Sequence, residues 1–407
     1  MKAIRFVVSV PRYVVCKALG PLFPSIYVGP LSMLRYQEVP EPLLPGPDWV
    51  RIRTRYAGVC GSDMHQIHLD DSPYVTPFAS PSFICGHENV GVIAEVGDGV
   101  GDFRVGDRVI ADPVLPCPAR GIEPPCRHCQ QGEYPRCDNF AEGNLPPGLI
   151  IGACDATGGT WSPTFAAHRF QLFRIPDGVS DENAALVDAF CSSLHPVMRV
   201  FPRDDETVLV LGAGVIGIGV VAALRVLGSR ARIIVMARYR FQGEAAQRYG
   251  ADQVIYTGEG DPYTAFAEMV GARVYRPMLG KRVLAGGADV VYECVGTDGT
   301  IDDALRFTRA GGRMALVGLA GTTKKVDWTP LWFKELTVIG TQSSSTEDYR
   351  GKRVRCYQLT LNWMAEGKLD LAPLLTHTFP LSEYRRAIEV TSHKARHRVI
   401  KSAFRFG

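Results

Sequence analysis

Two short stretches hold the residues best suited to chemistry, Cys60-Gly61-Ser62-Asp63 and Gly86-His87-Glu88. Cys60 and His87 have 26 residues between them, and both sit among glycines that let the backbone turn tightly. Thiolate sulfur and imidazole nitrogen are the donor pairing that Zn²⁺ prefers. A catalytic zinc takes three protein ligands and keeps a fourth position open. Four further cysteines, Cys117, Cys126, Cys129 and Cys137, fall within 21 residues, and four thiolates can close a tetrahedral site that excludes water. The third chemical element is Gly212-Ala213-Gly214-Val215-Ile216-Gly217, a GxGxxG run between a strand pattern and a helix pattern. In that setting it is a dinucleotide fingerprint. Gly212 allows the tight turn, Gly214 lets a pyrophosphate approach, and Gly217 lets helix and strand pack. The helix N-terminus then faces the phosphates.

The next strand decides the cofactor. An NAD enzyme places Asp or Glu about 20 residues on, to bind the ribose 2′-hydroxyl. Here Arg232 to Met236 is followed by Ala237-Arg238-Tyr239-Arg240, with no acid. Arg238 stands at the acidic position, and its guanidinium matches a 2′-phosphate. NADP is therefore favoured. If Arg238 and Arg240 are only solvated, NAD binds less selectively.

These groups need a framework to hold them. Residues 1 to about 190 are rich in valine, glycine and proline, with short strand patterns such as Val50 to Thr54 and Val90 to Val96. They read as an irregular β domain. From about 200, strands alternate with helices: Val208–Leu211, helix Val215 to Leu227, strand Arg232 to Met236, helix Gly243 to Tyr249 and strand Gln253 to Tyr256. Later strands are expected at Asp289 to Cys294 and Arg313 to Leu319. This alternation predicts an α/β, doubly wound parallel sheet of the Rossmann type. A helix over Arg353 to Glu366 and a strand over His397 to Ile400 are expected near the C-terminus.

The 407 residues allow two or three domains, and 46% hydrophobic with 21% charged is ordinary globular composition. A net charge of +3 gives no reason to expect nucleic acid or an anionic membrane as partner. Thr207 to Leu224 carries no charge and is about as long as a membrane span, yet its four glycines favour a buried strand, a turn and a helix. The N-terminus lacks a signal peptide's apolar core and cleavage site. Eleven cysteines, an odd number and clustered in part, suit a reducing, cytoplasmic setting rather than a disulfide framework.

The second metal motif continues as GHENVGVIAEVGDGV, Gly86 to Val100. It resembles the signature of the zinc-dependent medium-chain alcohol dehydrogenases, matching at Gly86, His87, Glu88, Gly91, Gly97 and Val100. The resemblance covers nearly the whole chain. It implies a β-rich, GroES-like catalytic domain over residues 1–190, a Rossmann domain over 191–340, and a C-terminal segment, 341–407, returning to the first domain. It makes Asp188 the third ligand beside Cys60 and His87, and puts Glu88 close to the metal, either as an alternating ligand or as a carboxylate that tunes the ion without binding it. It gives Ser62 and His65 the proton relay, and Val295 joins the nucleotide-binding residues.

Cys126-x2-Cys129-x7-Cys137 matches the last three ligands of the family's structural zinc lobe. The family's first cysteine is Glu123 here. Cys117 is preferred as fourth ligand because thiolate is softer than carboxylate; Glu123 as ligand, a CxxC redox pair and a disulfide are the alternatives. A bound zinc would polarise an alcohol oxygen and ease transfer of its proton to solvent and its hydride to a nicotinamide. The carboxylate at the third position resembles the branch acting on polyols, sugars, threonine and secondary alcohols, commonly as dimers or tetramers. A zinc-free quinone or enoyl reductase and a non-catalytic protein that kept the fold are the rival readings. Two stretches depart from the family, Val14 to Ser32 and His68 to Ser82.

Overall fold

The computed structural model describes all 407 residues. They form two compact units, Met1–Asp188 with Ser344–Gly407, and Ala189–Ser343.

The first unit is built on the long strand Trp49–Val59. Val50, Ile52 and Thr54 are buried, while Arg51, Arg53 and Arg55 lie towards solvent, the period-2 pattern of a half-covered sheet. From Tyr56 to Val59 every residue is buried, so the strand drives into the interior just before Cys60. Antiparallel partners flank it: Asn89–Val96 and Thr164–His168 for its first part, and Lys401–Arg405 for its last. The C-terminal segment thus completes this sheet. Its register places Ser402 opposite Val59. A smaller sheet pairs Lys2–Val7 with Leu34–Glu38 and Ser82–Ile84, and the last of these leads directly to Gly86 and His87. The segment between the first two strands forms the helix Val10–Leu19 and the 3-10 turn Pro24–Val28.

The second unit is a six-stranded parallel sheet in the order Gln253–Tyr256, Arg232–Ala237, Thr207–Leu211, Ala288–Glu293, Thr308–Leu316, Thr337–Gly340. Numbered along the chain that is 3-2-1-4-5-6, the doubly wound order. The apolar run that mimicked a membrane span divides into the strand Thr207–Leu211 and the helix Val215–Val226. No helix is long and apolar enough to cross a membrane.

Two expectations near the C-terminus are corrected. The helix expected from Arg353 starts at Cys356, because Lys352–Arg355 is a strand paired with Thr346–Tyr349. Arg350 and Gly351 both have positive φ, 53° and 76°, the signature of a two-residue hairpin turn. The strand expected at His397 to Ile400 begins only at Lys401. His397 ends a short helix, Lys394–His397, and Arg398 closes it in the left-handed conformation at φ 55°.

Candidate functional site: a metal centre, a thiol lobe and a nucleotide turn

Cys60 occupies the N-cap position of the helix Gly61–His68. The Asp63 carboxylate accepts from the Cys60 amide at 2.8 Å, as a residue three into a helix can. Its other oxygen lies 3.5 Å from Nδ1 of His87. One acid therefore fixes the backbone of the cysteine and the ring of the histidine, leaving Nε2 of His87 as the outward donor. Burial alone would push the His87 imidazole down, but Asp63, with Cys60, outweighs it and holds the ring well above its usual range.

The Cys60, His87 and Glu88 donor atoms all lie within 4.8 Å of one another. Glu88 is 1% exposed, and its Oε1 accepts from the Lys401 ammonium at 2.5 Å. Lys401 enters from the strand on one side of Trp49–Val59, and Glu88 immediately precedes the strand on the other. They meet at the end of the central strand, where Gly58 has no side chain. A Cβ there would lie 1.7 Å from Glu88 Oε2. Burial would lower the lysine, and Glu88 and Cys60 raise it past its usual value.

Oε2 of Glu88 is buried and has no hydrogen-bond partner. An orphaned carboxylate oxygen beside a thiol and an imidazole is what a metal site presents when its donors are in place. The residues fit a zinc ion.

Asp188 stands in the first turn of the helix Val187–Arg199, outside the 4.8 Å set. It is 7% exposed, and Tyr357 donates a hydrogen bond to its Oδ1. Its carboxyl is pushed up to about 6, by burial first, with Glu88 adding and His87 and Tyr357 opposing. Ser62 and His65 are half-buried on the helix that Cys60 caps, and burial pushes the His65 imidazole down.

The four lobe cysteines likewise have their sulfurs within 4.8 Å of one another. Cys117 joins Cys126, Cys129 and Cys137; Glu123 does not, and every cysteine is a free thiol. Cys117 Sγ lies 3.6 Å from Cys137 Sγ. It accepts from the Cys126 amide at 3.4 Å and from Asn139 Nδ2 at 3.2 Å, while the Asn139 amide donates to Cys137 Sγ at 3.4 Å. Hydrogen bonds from Cys129 and the Asn139 amide hold the Cys137 thiol down at about 5, against burial. Amide donors aimed at sulfur stabilise thiolate, the form that binds metal.

In the second unit Gly212 has φ 95° and Gly214 opens the helix Val215–Val226, with Val215 and Ile216 half-buried in its first turn. A Cβ on Gly217 would lie 1.8 Å from the Gly212 carbonyl oxygen, whereas one on Gly214 would meet nothing within 4 Å. The turn is packed on its inner side and open at Gly214, which fits a dinucleotide pyrophosphate. Val295 packs beside Gly212, and its amide donates to Glu293 at 3.0 Å. Arg238 follows the strand Arg232–Ala237 directly and is exposed, its guanidinium 5.5 Å from the Tyr239 ring centre. Arg240 is already paired with Glu259 at 2.8 Å.

Comparison with known proteins gives the family. Residues 46–177 match the alcohol dehydrogenase GroES-like domain and residues 215–356 the zinc-binding dehydrogenase domain. A sorbitol dehydrogenase of Arabidopsis thaliana is 30% identical over 343 residues, 84% of each chain. The chain belongs to the zinc-type medium-chain alcohol dehydrogenases. This dehydrogenase is also 30% identical to an L-idonate 5-dehydrogenase of Vitis vinifera, over 83% of its own length and 82% of the relative's. A zinc-binding dehydrogenase from Sinorhizobium meliloti 1021, solved bound to NADP, superposes with a TM-score of 0.71 at 25% identity, covering 92% of this chain and 95% of that one.

Asp63, Lys401 and Tyr357 were missed by sequence reasoning. Asp63 had a signal, the C-x-x-D spacing of a capping box. The other two reach the site from the returning C-terminal segment and had none. For the dehydrogenase's lobe, Cys129→Ser is expected to lose one zinc and leave the other. It should lower the melting midpoint by roughly 10 °C, as several kcal/mol in a unit of this size implies. Elemental analysis with thermal unfolding checks it; a variant melting like wild type with both zinc ions retained would refute the lobe assignment.

Proposed function

We propose that this dehydrogenase transfers hydride between a small polyol or sugar-type alcohol and NADP. The observation that supports it best is the meeting of Cys60, His87 and the orphaned oxygen of Glu88 in one buried cluster. Cys60 and His87 would hold the catalytic zinc, with Asp188 as third ligand and Glu88 beside it. Zinc bound there supplies Lewis-acid polarisation of an alcohol oxygen. Asp63, at Nδ1 of His87, would leave Nε2 as the donor to such an ion. Ser62 Oγ takes the alcohol proton and passes it to His65, whose imidazole releases it to solvent; a hydroxyl can accept and donate at once, and imidazole titrates in the right range. Gly212, Gly214 and Gly217, with Val215, Ile216 and Val295, seat the dinucleotide.

The polyol reading draws on the sorbitol and idonate activities of the named relatives and on the carboxylate at position 188. A screen of polyols, sugars, sugar acids, threonine and secondary alcohols, followed by NADPH absorbance, tests it. Turnover is expected with a polyol or sugar acid; turnover confined to quinones or enones would overturn it.

Arg238 supports NADP over NAD. Losing a charged hydrogen bond to phosphate costs roughly 1.5–3 kcal/mol, so Arg238→Ala should weaken NADP binding about ten- to a hundredfold and NAD little. Titration of both nucleotides by fluorescence or calorimetry checks this. Equal affinities in the wild type would contradict it.

The assembly we infer is a homodimer or homotetramer. The strand Thr337–Gly340 ends the parallel sheet, and Trp332 and Phe333 on the preceding helix are 68% and 69% exposed. Apolar exposure of that kind marks association surfaces. Sedimentation gives the answer. Eleven free thiols suit a reducing, cytoplasmic location.

A further inference from the structure

The Asp188 carboxylate has two oxygens and an intrinsically soft terminal torsion, so something must decide which oxygen faces the metal. Tyr357 donates to Oδ1, which leaves Oδ2 as the oxygen not held by the tyrosine. The tyrosine itself is closely packed. It is fully buried, and its ring stacks on Phe173 at 5.2 Å between centres and 21° between planes. Phe173 lies in turn under the Arg355 guanidinium at 4.6 Å. Arg355 is anchored to Asp112 at 2.7 Å and to the Phe170 carbonyl at 2.5 Å. The hydroxyl is therefore a fixed point built from the returning C-terminal segment and the strand Leu172–Arg174. Asp188, on a different helix, is held against it.

We propose that Tyr357 is a positioning residue of the metal centre: by holding Oδ1 of Asp188 it presents Oδ2 to the ion bound by Cys60 and His87. The inference rests on Asp188 being a ligand. Hydrogen-bond partners of ligands set ligand orientation, and losing one typically weakens metal binding ten- to a hundredfold. A tyrosine that merely satisfies its own buried hydroxyl would affect stability and not the metal.

The test is Tyr357→Phe, which keeps the ring and its stack on Phe173. Zinc remaining per chain is measured during dialysis against graded chelator. The centre's zinc should be lost at ten- to a hundredfold lower chelator, with the lobe zinc unchanged. In cobalt-substituted protein the visible band of the centre should shift. In an Asp188→Asn background the same substitution should add nothing. If Tyr357→Phe holds its zinc as wild type does while Asp188→Asn loses it, Tyr357 has no positioning role and Asp188 stands. If neither variant changes zinc retention, Asp188 is not a ligand and both readings fall.

Discussion

Cys60→Ser is expected to lower turnover on the order of a thousandfold or more while leaving one zinc per chain and the fold intact. The reason is local. Cys60 is one donor of a three-residue cluster, and the helix it caps also carries Ser62 and His65. Serine is nearly isosteric, so it can keep the N-cap, but its hydroxyl stays protonated where the thiol gives a thiolate. The lobe thiols form a separate cluster from a separate stretch of chain, so their metal should stay. Steady-state kinetics and zinc analysis on the same preparation check both halves. Turnover within tenfold of wild type with two zinc ions bound would remove Cys60 from the centre.

Lys401→Met should destabilise the protein by about 3–5 kcal/mol, the usual consequence of leaving one member of a buried ion pair alone. Lys401 is 3% exposed and Glu88 1%, and the pair is 2.5 Å apart. Methionine can fill the lysine stem's volume but cannot answer the carboxylate. Adding Glu88→Gln should recover much of the loss, because an amide carries no net charge to strand. Chemical denaturation of the two variants measures this. A single variant as stable as wild type would mean that Lys401 is not what compensates the buried Glu88 carboxylate.

The parts of this site that share a local stretch of chain were legible in the sequence. The GxGxxG turn lies between its own strand and helix, and the strand Gln253–Tyr256 falls where its β-branched pattern put it. Cys60 and His87 were legible because glycines mark the turns that bring them in. The fourth lobe thiol was harder. Eight residues separate Cys117 from Cys126, and only folding of that loop distinguishes the thiol from Glu123. Lys401 and Tyr357 were invisible for a different reason. Each acts on a carboxylate 313 or 169 residues away, and strand register and helix packing set such contacts, not local pattern. The last residues of the hairpin, Arg353 to Arg355, were read as the start of the helix, because the hairpin's turn depends on a positive φ at Arg350, a non-glycine residue.

The zinc content of freshly purified, active protein bears most directly on whether this chain is a two-zinc dehydrogenase. Elemental analysis against protein concentration should give two zinc ions per chain, one released by Cys60→Ser and the other by Cys129→Ser. Fully active protein with no zinc would contradict the metal centre.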